Sequence, residues 1–257
     1  MLLPLTACGG GLPLLHPART LSPGDVRAVA GFSSNAFVGG FTDALQNVPK
    51  AASTALPPSG PSYARAALVE ASVAPGLAPL VGARVGLGMQ FEGGIGYTGR
   101  TVRVDARRSF DLSSHWAMSL GAGAMAEVYG HDDAGVLPAL DPSQLHGWGA
   151  DVPIVIGYTS DAELYMLWIG ARTGWEHVDG GAPASPGTVT PMAPAPVLSA
   201  TRVWGGGLLG FAVGFRHLHA AIELDCSYAT VSGAYGATRA EVTGATIAPA
   251  SAVWWHF

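Results

Sequence analysis

The sequence predicts an all-β fold, a closed antiparallel up-and-down β-barrel that spans a lipid bilayer, and three observations support this prediction. First, apolar residues alternate with polar or small ones along about ten segments of the chain. Second, only 12% of the 257 residues are charged and the mean hydropathy is +0.31, whereas a soluble domain carries about 25% charged residues. Third, the 36 glycines are about twice the usual share, which suits a tightly curved sheet and opposes long helices. We expect about ten strands, with eight or twelve as the alternatives, and long loops at one end and short turns at the other.

Composition also excludes other classes of protein. No stretch reaches the roughly 18 consecutive apolar residues of a membrane-spanning helix, because Gly, Arg, Asp or Glu interrupts every candidate. The net charge of −5 offers no basic patch, so nucleic acid is not expected as a partner. No phosphate-binding loop and no Cys/His zinc spacing occurs, so neither a cofactor nor a metal is expected. The uniform composition indicates one barrel domain over residues 24–257, preceded by a signal or lipobox remnant and N-terminal tail over residues 1–23.

The alternating segments define the strands in order. A Pro- and Ser-rich stretch follows the first strand up to about Ala78, and within it Tyr63–Val73 is predicted as a short helix. Pro249, in the last segment, predicts a bulge or an irregular pairing. The predicted strands are Asp25–Phe32, Val81–Gly88, Phe91–Tyr97, Val102–Arg107, Trp116–Tyr129, Val152–Thr159, Tyr165–Glu176, Arg202–Arg216, Leu218–Tyr228 and a final strand that ends at Phe257.

The connections between these strands differ in length at the two ends of the barrel. Short turns follow the second, fourth, sixth and eighth strands, at residues 89–90, 110–115, 160–162 and 216–217. Long links follow the first, fifth, seventh and ninth strands, and only the link at residues 98–99, after the third strand, is short. An even strand number with both ends on the short-turn side is the layout of bacterial single-chain outer-membrane barrels, whose short turns face the periplasm.

The final strand carries a resemblance to these proteins. Val253, Trp255 and Phe257 share one face of a strand that stops on an aromatic residue. It resembles the last strand of bacterial outer-membrane β-barrel proteins, which typically ends in Phe with apolar or aromatic residues at alternate positions before it. The resemblance implies a location in the outer membrane of a Gram-negative bacterium, with the bilayer as a partner. It also implies that these three residues form an insertion signal for the outer-membrane assembly machinery.

The polar face of the strands predicts a charged lumen. Side chains nearly fill the interior of a barrel of about ten strands, so buried charges there must pair or be wetted. Trp168 and Trp204 share this parity, and they either help to fill the lumen or mark a slip in the predicted register. The predicted lumen charges are Arg27, Arg84, Glu92, Arg103, Asp105, Arg107, Glu127, Arg172, Glu176, Arg202, Arg216, Glu223 and Asp225.

This arrangement favours an integral outer-membrane barrel of structural or surface-interaction type, with a largely plugged, salt-bridged lumen. Its long external loops would contact a partner that the sequence does not identify. The alternative is a narrow transport barrel for ions or small molecules, which would be porin-like and would use the same residues. If the protein were a soluble fold instead, Val104, Leu120, Ile169, Phe211 and Ile222 would form a dry core, and the lumen charges would face water.

Cys8 suggests lipid attachment. Leu5-Thr6-Ala7-Cys8 resembles the lipobox of bacterial lipoproteins, in which a signal peptidase cuts before a cysteine that carries diacylglycerol. Only seven residues precede Cys8 and none is basic, whereas a secretory signal peptide has a charged start and a longer apolar run. The alternatives are a true start upstream of Met1 and a chance match.

A rim hydrolase is a further alternative, because ten-stranded outer-membrane barrels include the omptin proteases, which place Asp-Asp and Asp-His pairs at the external rim. His131, Asp132 and Asp133 follow the fifth strand, and His177 and Asp179 follow the seventh. No omptin sequence signature is present, and loops often contain Asp for reasons of turn geometry. We therefore expect no enzymatic activity and predict no catalytic residue.

Overall fold

The computed structural model describes residues 11–47, 60–73, 75–128, 145–181 and 197–257. Within them, ten antiparallel strands form one closed barrel in which each strand pairs with its neighbours in sequence and the first pairs with the last. The predicted fold class is therefore confirmed. The strands are β1 (Val26–Val38), β2 (Gly76–Gly88), β3 (Phe91–Thr98), β4 (Thr101–Asp111), β5 (Trp116–Val128), β6 (Leu145–Thr159), β7 (Tyr165–Gly181), β8 (Val197–Phe215), β9 (Leu218–Tyr235) and β10 (Thr238–His256).

The seam between β1 and β10 closes the barrel. Pairing runs from Arg27 opposite His256 towards the external end, and it continues to the last residue, since the amide of Phe257 donates to the carbonyl of Val26 at 2.9 Å. The ladder between these strands is interrupted at Pro249 without a change of register, because proline has no amide hydrogen to donate. Closure leaves no free sheet edge in the described part of the chain, which a bilayer requires.

The two faces of the strands have opposite chemistry. The outer face is apolar, and side chains spaced around the barrel, such as Val104, Ile169 and Ile222, are well exposed on it. Leu120 and Phe211 are exposed on the same face, whereas Arg103, Arg172 and Glu223 are buried inside. An apolar exterior around a charged interior is the reverse of a soluble domain and matches a barrel solvated by lipid.

Aromatic side chains mark the height of the apolar band. On β7, Tyr165 and Trp175 both face outward, and on β6 Tyr158 and Trp148 do the same. Tyr158 stacks on Tyr165 with ring centroids 5.9 Å apart, and Trp148 contacts Trp175 at 4.5 Å. In each strand the two aromatic residues are ten positions apart, which corresponds to about 25 Å along the barrel axis at a typical strand tilt. This spacing is the height of the apolar band between the two interfaces.

Two helices connect β1 to β2, namely α1 (Gly40–Gln46) and α2 (Pro61–Val73). The predicted helix at Tyr63–Val73 is confirmed as most of α2. From Tyr63 to Val73 every residue of α2 except Arg65 is buried, and the helix packs against inward-facing side chains of β8, β9 and β10, such as Leu198 and Val231. It therefore lies inside the external half of the barrel. None of the described helices is long and apolar enough to cross a membrane.

The sequence prediction differs from the structure mainly at the external ends of the strands. The long link expected after the ninth strand is wrong, because Tyr235 pairs directly with Thr238 across a two-residue turn that contains Gly236 at a φ of 57°. Alternation is hidden there because the inner face packs on α2 and is apolar: the ring of Tyr235 lies 5.2 Å from that of Tyr63. The predicted long links after the fifth and seventh strands fall largely outside the described residues, whereas the link after the first strand contains α1 and α2.

Candidate functional site in the barrel lumen

Seven charged side chains form one continuous array along the inner wall from β2 to β7, which we call the charge chain. Arginines and carboxylates alternate along it in the order Arg107, Glu92, Arg84, Asp105, Arg103, Asp151 and Arg172. Arg107 Nη2 donates to Glu92 Oε2 at 2.9 Å, and Arg103 Nη2 donates to Asp151 Oδ1 at 2.8 Å. No member exposes more than 10% of its side chain. Because each carboxylate lies between two guanidinium groups, the attraction offsets the desolvation of these buried charges.

Two further ion pairs lie on the external side of the charge chain. Arg100 donates to Glu127 at 2.7 Å, and Arg202 donates to Glu176 at 3.1 Å. The indole of Trp204 connects this level to the charge chain, since the guanidinium carbons of Arg172 and Arg202 lie 5.0 and 5.6 Å from its ring centroid. Cation–π contacts of this kind stabilise desolvated arginines.

Residues 11–22, which we call the lumen segment, lie inside the barrel alongside the charge chain. They lead inward from the exposed residues 22–25 near the short-turn end to Gly11, whose carbonyl accepts a hydrogen bond from Ser33 at 2.9 Å. The carboxylate of Glu223 accepts from the amides of Leu14 and Leu15 at 2.6 and 2.9 Å. The stretch expected as a signal or lipobox remnant and N-terminal tail over residues 1–23 is, over most of its described part, packed within the barrel.

The C-terminal end of α2 is held by side chains of the wall. Arg100 donates to the carbonyl of Ala71 at 2.9 Å, Asn35 to that of Val73 at 2.8 Å and Arg202 to that of Ser72 at 3.4 Å. These are carbonyls that a helix leaves without intrahelical partners, and positive charge at this end also complements the helix dipole. The same two arginines thus pair with carboxylates of the wall and anchor the helix.

A polar cavity of about 50 Å³ lies between the inner end of the lumen segment and the C-terminal end of α2. It is lined by Gly11 and Leu12 on one side, by Ser72 and Val73 on the other, and by Asp225 on the wall. A cavity of this size and polarity holds a few water molecules, whereas small-molecule pockets are several times larger.

Twelve of the thirteen predicted lumen charges have inward-facing side chains, and the exception is Arg216. Arg216 lies in the turn between β8 and β9, with a φ of 56°, and its guanidinium is exposed beside Phe215. Since β8 ends at Phe215, the alternation that suggested an inward side chain no longer applies. Trp168 and Trp204 are both buried in the lumen, so the register does not slip at these positions.

The inward charges that lie outside the charge chain and the two ion pairs occupy separate places. Arg27 Nε donates to His256 Nε2 at 2.7 Å near the short-turn end, and its guanidinium lies over the indole of Trp254. Glu223 accepts from the indole of Trp168 at 2.8 Å in addition to the lumen segment. Asp225 faces the central cavity.

The sequence prediction omits two charged residues of the lumen wall. The predicted sixth strand begins at Val152 and so excludes Asp151, whereas β6 begins at Leu145. The alternation of Gly149, Asp151 and Pro153 with apolar residues was the available signal. Arg100 falls between the predicted turn at residues 98–99 and the predicted fourth strand, and no sequence pattern indicates that it reaches inward to α2.

The remaining predicted site residues lie outside the lumen. Val253, Trp255 and Phe257 are exposed on the outer face of the seam. Cys8, the proposed site of lipid attachment, lies outside the described residues, and so do the rim candidates at 131–133. His177 Nε2 lies 2.9 Å from Asp179 Oδ2, but both side chains project from the outer wall rather than into the mouth of the barrel, because the intervening Val178 is buried inside.

Taken together, these features are those of a bacterial outer-membrane β-barrel. The barrel is closed, has an even number of strands in the described chain, and carries an apolar band flanked by aromatic residues. Lipid is the solvent that such a band requires, so the protein resides in the outer membrane with its charged groups enclosed.

No protein-family model and no curated protein sequence matches the chain. Among solved structures, it is similar to the outer membrane protease OmpT from Escherichia coli at 7% identity and a TM-score of 0.48, over 93% of this chain and 99% of that one. It is also similar to Neisserial surface protein A at 10% identity and a TM-score of 0.33, over 91% of this chain and 96% of that one. At these TM-scores the likenesses add nothing to what the geometry of the barrel itself shows.

Proposed function

We propose that the protein is an outer-membrane barrel of structural or surface-interaction type whose lumen is closed to solutes. The observation that carries this proposal is that two different parts of the chain occupy the lumen in series. The lumen segment lies in the half nearer the short turns, and α2 lies in the external half. A solute crossing the barrel would have to displace both.

The contacts on the wall support a stable closure. The charge chain leaves no member without an opposite charge, so the lumen has little need of bulk water for its solvation. The external half is apolar where α2 contacts β8, β9 and β10, so that withdrawing the helix would expose apolar side chains. A wet channel would lose these contacts.

The external part of the wall is the surface at which we place the interaction with a partner. β7 continues six residues beyond Trp175, and β8 begins six residues before Val203, which pairs with Trp175. This extension rises about 15 Å above the apolar band. The barrel thus presents a rigid wall outside the membrane, and the identity of its partner is not encoded in any described feature.

The C-terminal strand is proposed as the signal for the assembly machinery. Trp255 and Phe257 lie on its lipid-facing side, so removing the terminal aromatic ring changes no lumen contact. We expect Phe257→Ser to lower the amount of folded protein in the outer membrane of living cells while purified protein still folds in detergent. Equal yields of the variant and the wild type in cells would contradict this role.

Conductance in planar bilayers tests the closed lumen. The full chain is expected to give no stable unitary steps, and so is a variant in which only residues 61–73 are replaced by a flexible linker, because the lumen segment still blocks the barrel. A variant that lacks both closures is expected to conduct and serves as the positive control. Heat-dependent gel mobility shows that each variant is folded. Stable steps from the full chain would refute the closed lumen and favour the narrow transport barrel.

Among the described residues, one pair has the residue types that the rim-hydrolase alternative needs, His177 and Asp179. That pair faces away from the mouth of the barrel. In our proposal this pair belongs to the outer aromatic belt, where His177 stacks on Trp175 with ring centroids 6.5 Å apart. Asp179→Ala is therefore expected to leave any peptide hydrolysis by whole cells unchanged. Loss of such hydrolysis would favour the enzyme.

A further inference from the structure

The lumen segment is held mainly through its main chain. Four of its carbonyls accept hydrogen bonds from side chains of the wall, namely those of Gly11, Leu12, Pro17 and Arg19. Three of its amides, those of Leu14, Leu15 and Leu21, donate to carboxylates of the wall. Main-chain atoms are common to all peptides, so these contacts fix the position and direction of a bound peptide independently of its side chains.

The contact with Glu223 is the strongest of these features. Two successive amides, of Leu14 and Leu15, point at the two oxygens of one buried carboxylate. Leu15 has a φ of 46°, in the left-handed region, and successive amides in such a conformation form a concave binding site for an anionic group. A β-carbon is disfavoured in that region, so the backbone accepts a strained conformation in order to make both bonds.

The side chains of the lumen segment form fewer hydrogen bonds with the wall than its main chain does. His16 Nδ1 lies 2.8 Å from Arg107 Nη1, and Thr20 bonds to Ser109 at 2.8 Å. Leu14 and Leu15 belong to an apolar cluster with Trp168. Arg19 donates to the carbonyl of Ser114 at 2.9 Å and pairs with Asp111 at 3.3 Å, and both contacts are exposed. The buried contacts favour a pair of apolar residues next to Trp168 and an imidazole beside Arg107.

The wall, in turn, keeps its ion pairs without the segment. Every carboxylate of the charge chain is paired with arginines of the wall itself, including Glu92, which binds Arg84 and Arg107 in addition to the amide of Leu21. Glu223 would lose both of its main-chain donors and keep the indole of Trp168. Nη1 of Arg107 and Nη1 of Arg172 would lose the carbonyls of Pro17 and Leu12, so these groups form a polar binding site for the main chain of the segment.

We infer that the half of the lumen nearer the short turns is a binding site for a peptide, recognised through its main chain, and that residues 11–22 are its resident and exchangeable occupant. The site opens towards the periplasm, and within the described part of the chain it ends at the central cavity, beyond which α2 lies. Its ligand class is a peptide of about a dozen residues with two adjacent apolar side chains. This inference rests on the closed lumen proposed above, since an open channel would not retain a peptide.

The resident segment must be released before a peptide added in solution can bind. While it is tethered, its effective concentration is in the millimolar range, which excludes weaker competitors. The exposed residues 22–25 join it to β1, so a recognition site for a sequence-specific protease can be inserted between Pro23 and Gly24. The full chain is folded first and cleaved afterwards, and heat-dependent gel mobility verifies that the barrel stays intact.

The probe is a fluorescent synthetic peptide with the sequence of residues 11–22, added in excess to the cleaved barrel in detergent and followed by anisotropy and gel filtration. We expect it to exchange into the cleaved barrel and not into the uncleaved one. A matched peptide with N-methyl groups at Leu14, Leu15 and Leu21 keeps every side chain and loses three donors. Its dissociation constant is expected to be at least about 100-fold higher than that of the parent peptide. Each hydrogen bond to a charged group lowers the dissociation constant by about tenfold or more.

A second matched peptide keeps the main chain and changes side chains, with Arg19→Ala and Thr20→Val. It is expected to bind within about tenfold of the parent peptide, because only neutral or exposed contacts are lost. In the barrel, Glu223→Gln is expected to weaken the parent peptide by about tenfold and to have little further effect on a peptide methylated at Leu14 and Leu15, since both changes remove the same interaction.

Two results would overturn the inference. One is a cleaved and folded barrel that never takes up the labelled peptide, and the other is an N-methylated peptide that binds as tightly as its parent. The conductance of the uncleaved protein is measured on the same preparation and tests the closed lumen separately. A silent barrel that binds no peptide would refute only the peptide site, whereas unitary steps before cleavage would refute the closed lumen itself.

Discussion

Asp151 is the residue at which the charge chain can be tested most directly. Its side chain is fully buried, and its two oxygens accept from Arg103 at 2.8 and 2.9 Å and from two nitrogens of Arg172. Asp151→Asn keeps the shape of the side chain and removes its charge. Arg103 would keep Asp105 as a partner, but Arg172 would be left without any carboxylate to which the structure bonds it.

The expected loss of stability follows from this asymmetry. Breaking a buried ion pair by removing one partner costs about 3–5 kcal/mol, because the remaining charge is desolvated and uncompensated. We expect Asp151→Asn to lower the free energy of unfolding by about 3 kcal/mol, the lower end of that range, since Arg172 retains the indole of Trp204 and the carbonyl of Leu12. The measurement is equilibrium unfolding in urea of the barrel folded into lipid vesicles, followed by tryptophan fluorescence.

Asp111 supplies the matched control. It pairs with Arg19 at 3.3 Å, and the two side chains are 51% and 33% exposed. An exposed pair contributes about 0–1 kcal/mol, so Asp111→Asn is expected to stay within 1 kcal/mol of the wild type. If Asp151→Asn were no more destabilising than Asp111→Asn, the charge chain would contribute nothing to the stability of the barrel, and the reasoning about buried pairing would be refuted.

Two further predictions concern the outer face and the packing of the lumen. Ile169→Arg places a charge on an outward position, 60% exposed, near the middle of the apolar band, and is expected to cost about 2–4 kcal/mol in vesicles. Val197→Arg, at a position 61% exposed but above the band, is expected to cost about 0–1 kcal/mol, and equal costs would contradict the assigned height of the membrane. Gly210→Ala would place a β-carbon in steric overlap with the indole of Trp168, so it is expected to displace that ring and shift its fluorescence. Gly207→Ala, on the same strand, would place its β-carbon no closer than 3.6 Å to another atom, so the indole and its fluorescence are expected to stay unchanged. An unchanged emission spectrum in Gly210→Ala would refute the close packing of the indole.

Much of the barrel could be predicted from the sequence because its determinants are local. Side-chain direction in a strand reverses at each residue, so Arg103, Asp105 and Arg107 had to lie on one face and Val102 and Val104 on the other. The composition excluded water as the solvent for the apolar face. Alternation failed in the external part of β9, where both faces are apolar or small, because there the inner face contacts a helix instead of charged groups.

The occupants of the lumen could not be predicted in this way. The sequence predicts thirteen inward charges, twelve of which point inward in the structure, but partners such as Glu92 and Arg107 come from different strands, and pairing between strands depends on register and curvature. The lumen segment has no periodicity, so its position depends on main-chain contacts with residues as distant as Glu223.

The sequence by itself therefore determined the barrel, its orientation of faces and the polarity of its interior, since these follow from the alternation of neighbouring residues and from composition. Only the tertiary structure decided that the lumen segment and α2 fill that interior, and that Asp151 and Arg100 complete its ion pairs. The physical reason is that the direction of a side chain is a local property of an extended backbone. Which groups meet across a closed barrel depends instead on the shape of the whole sheet.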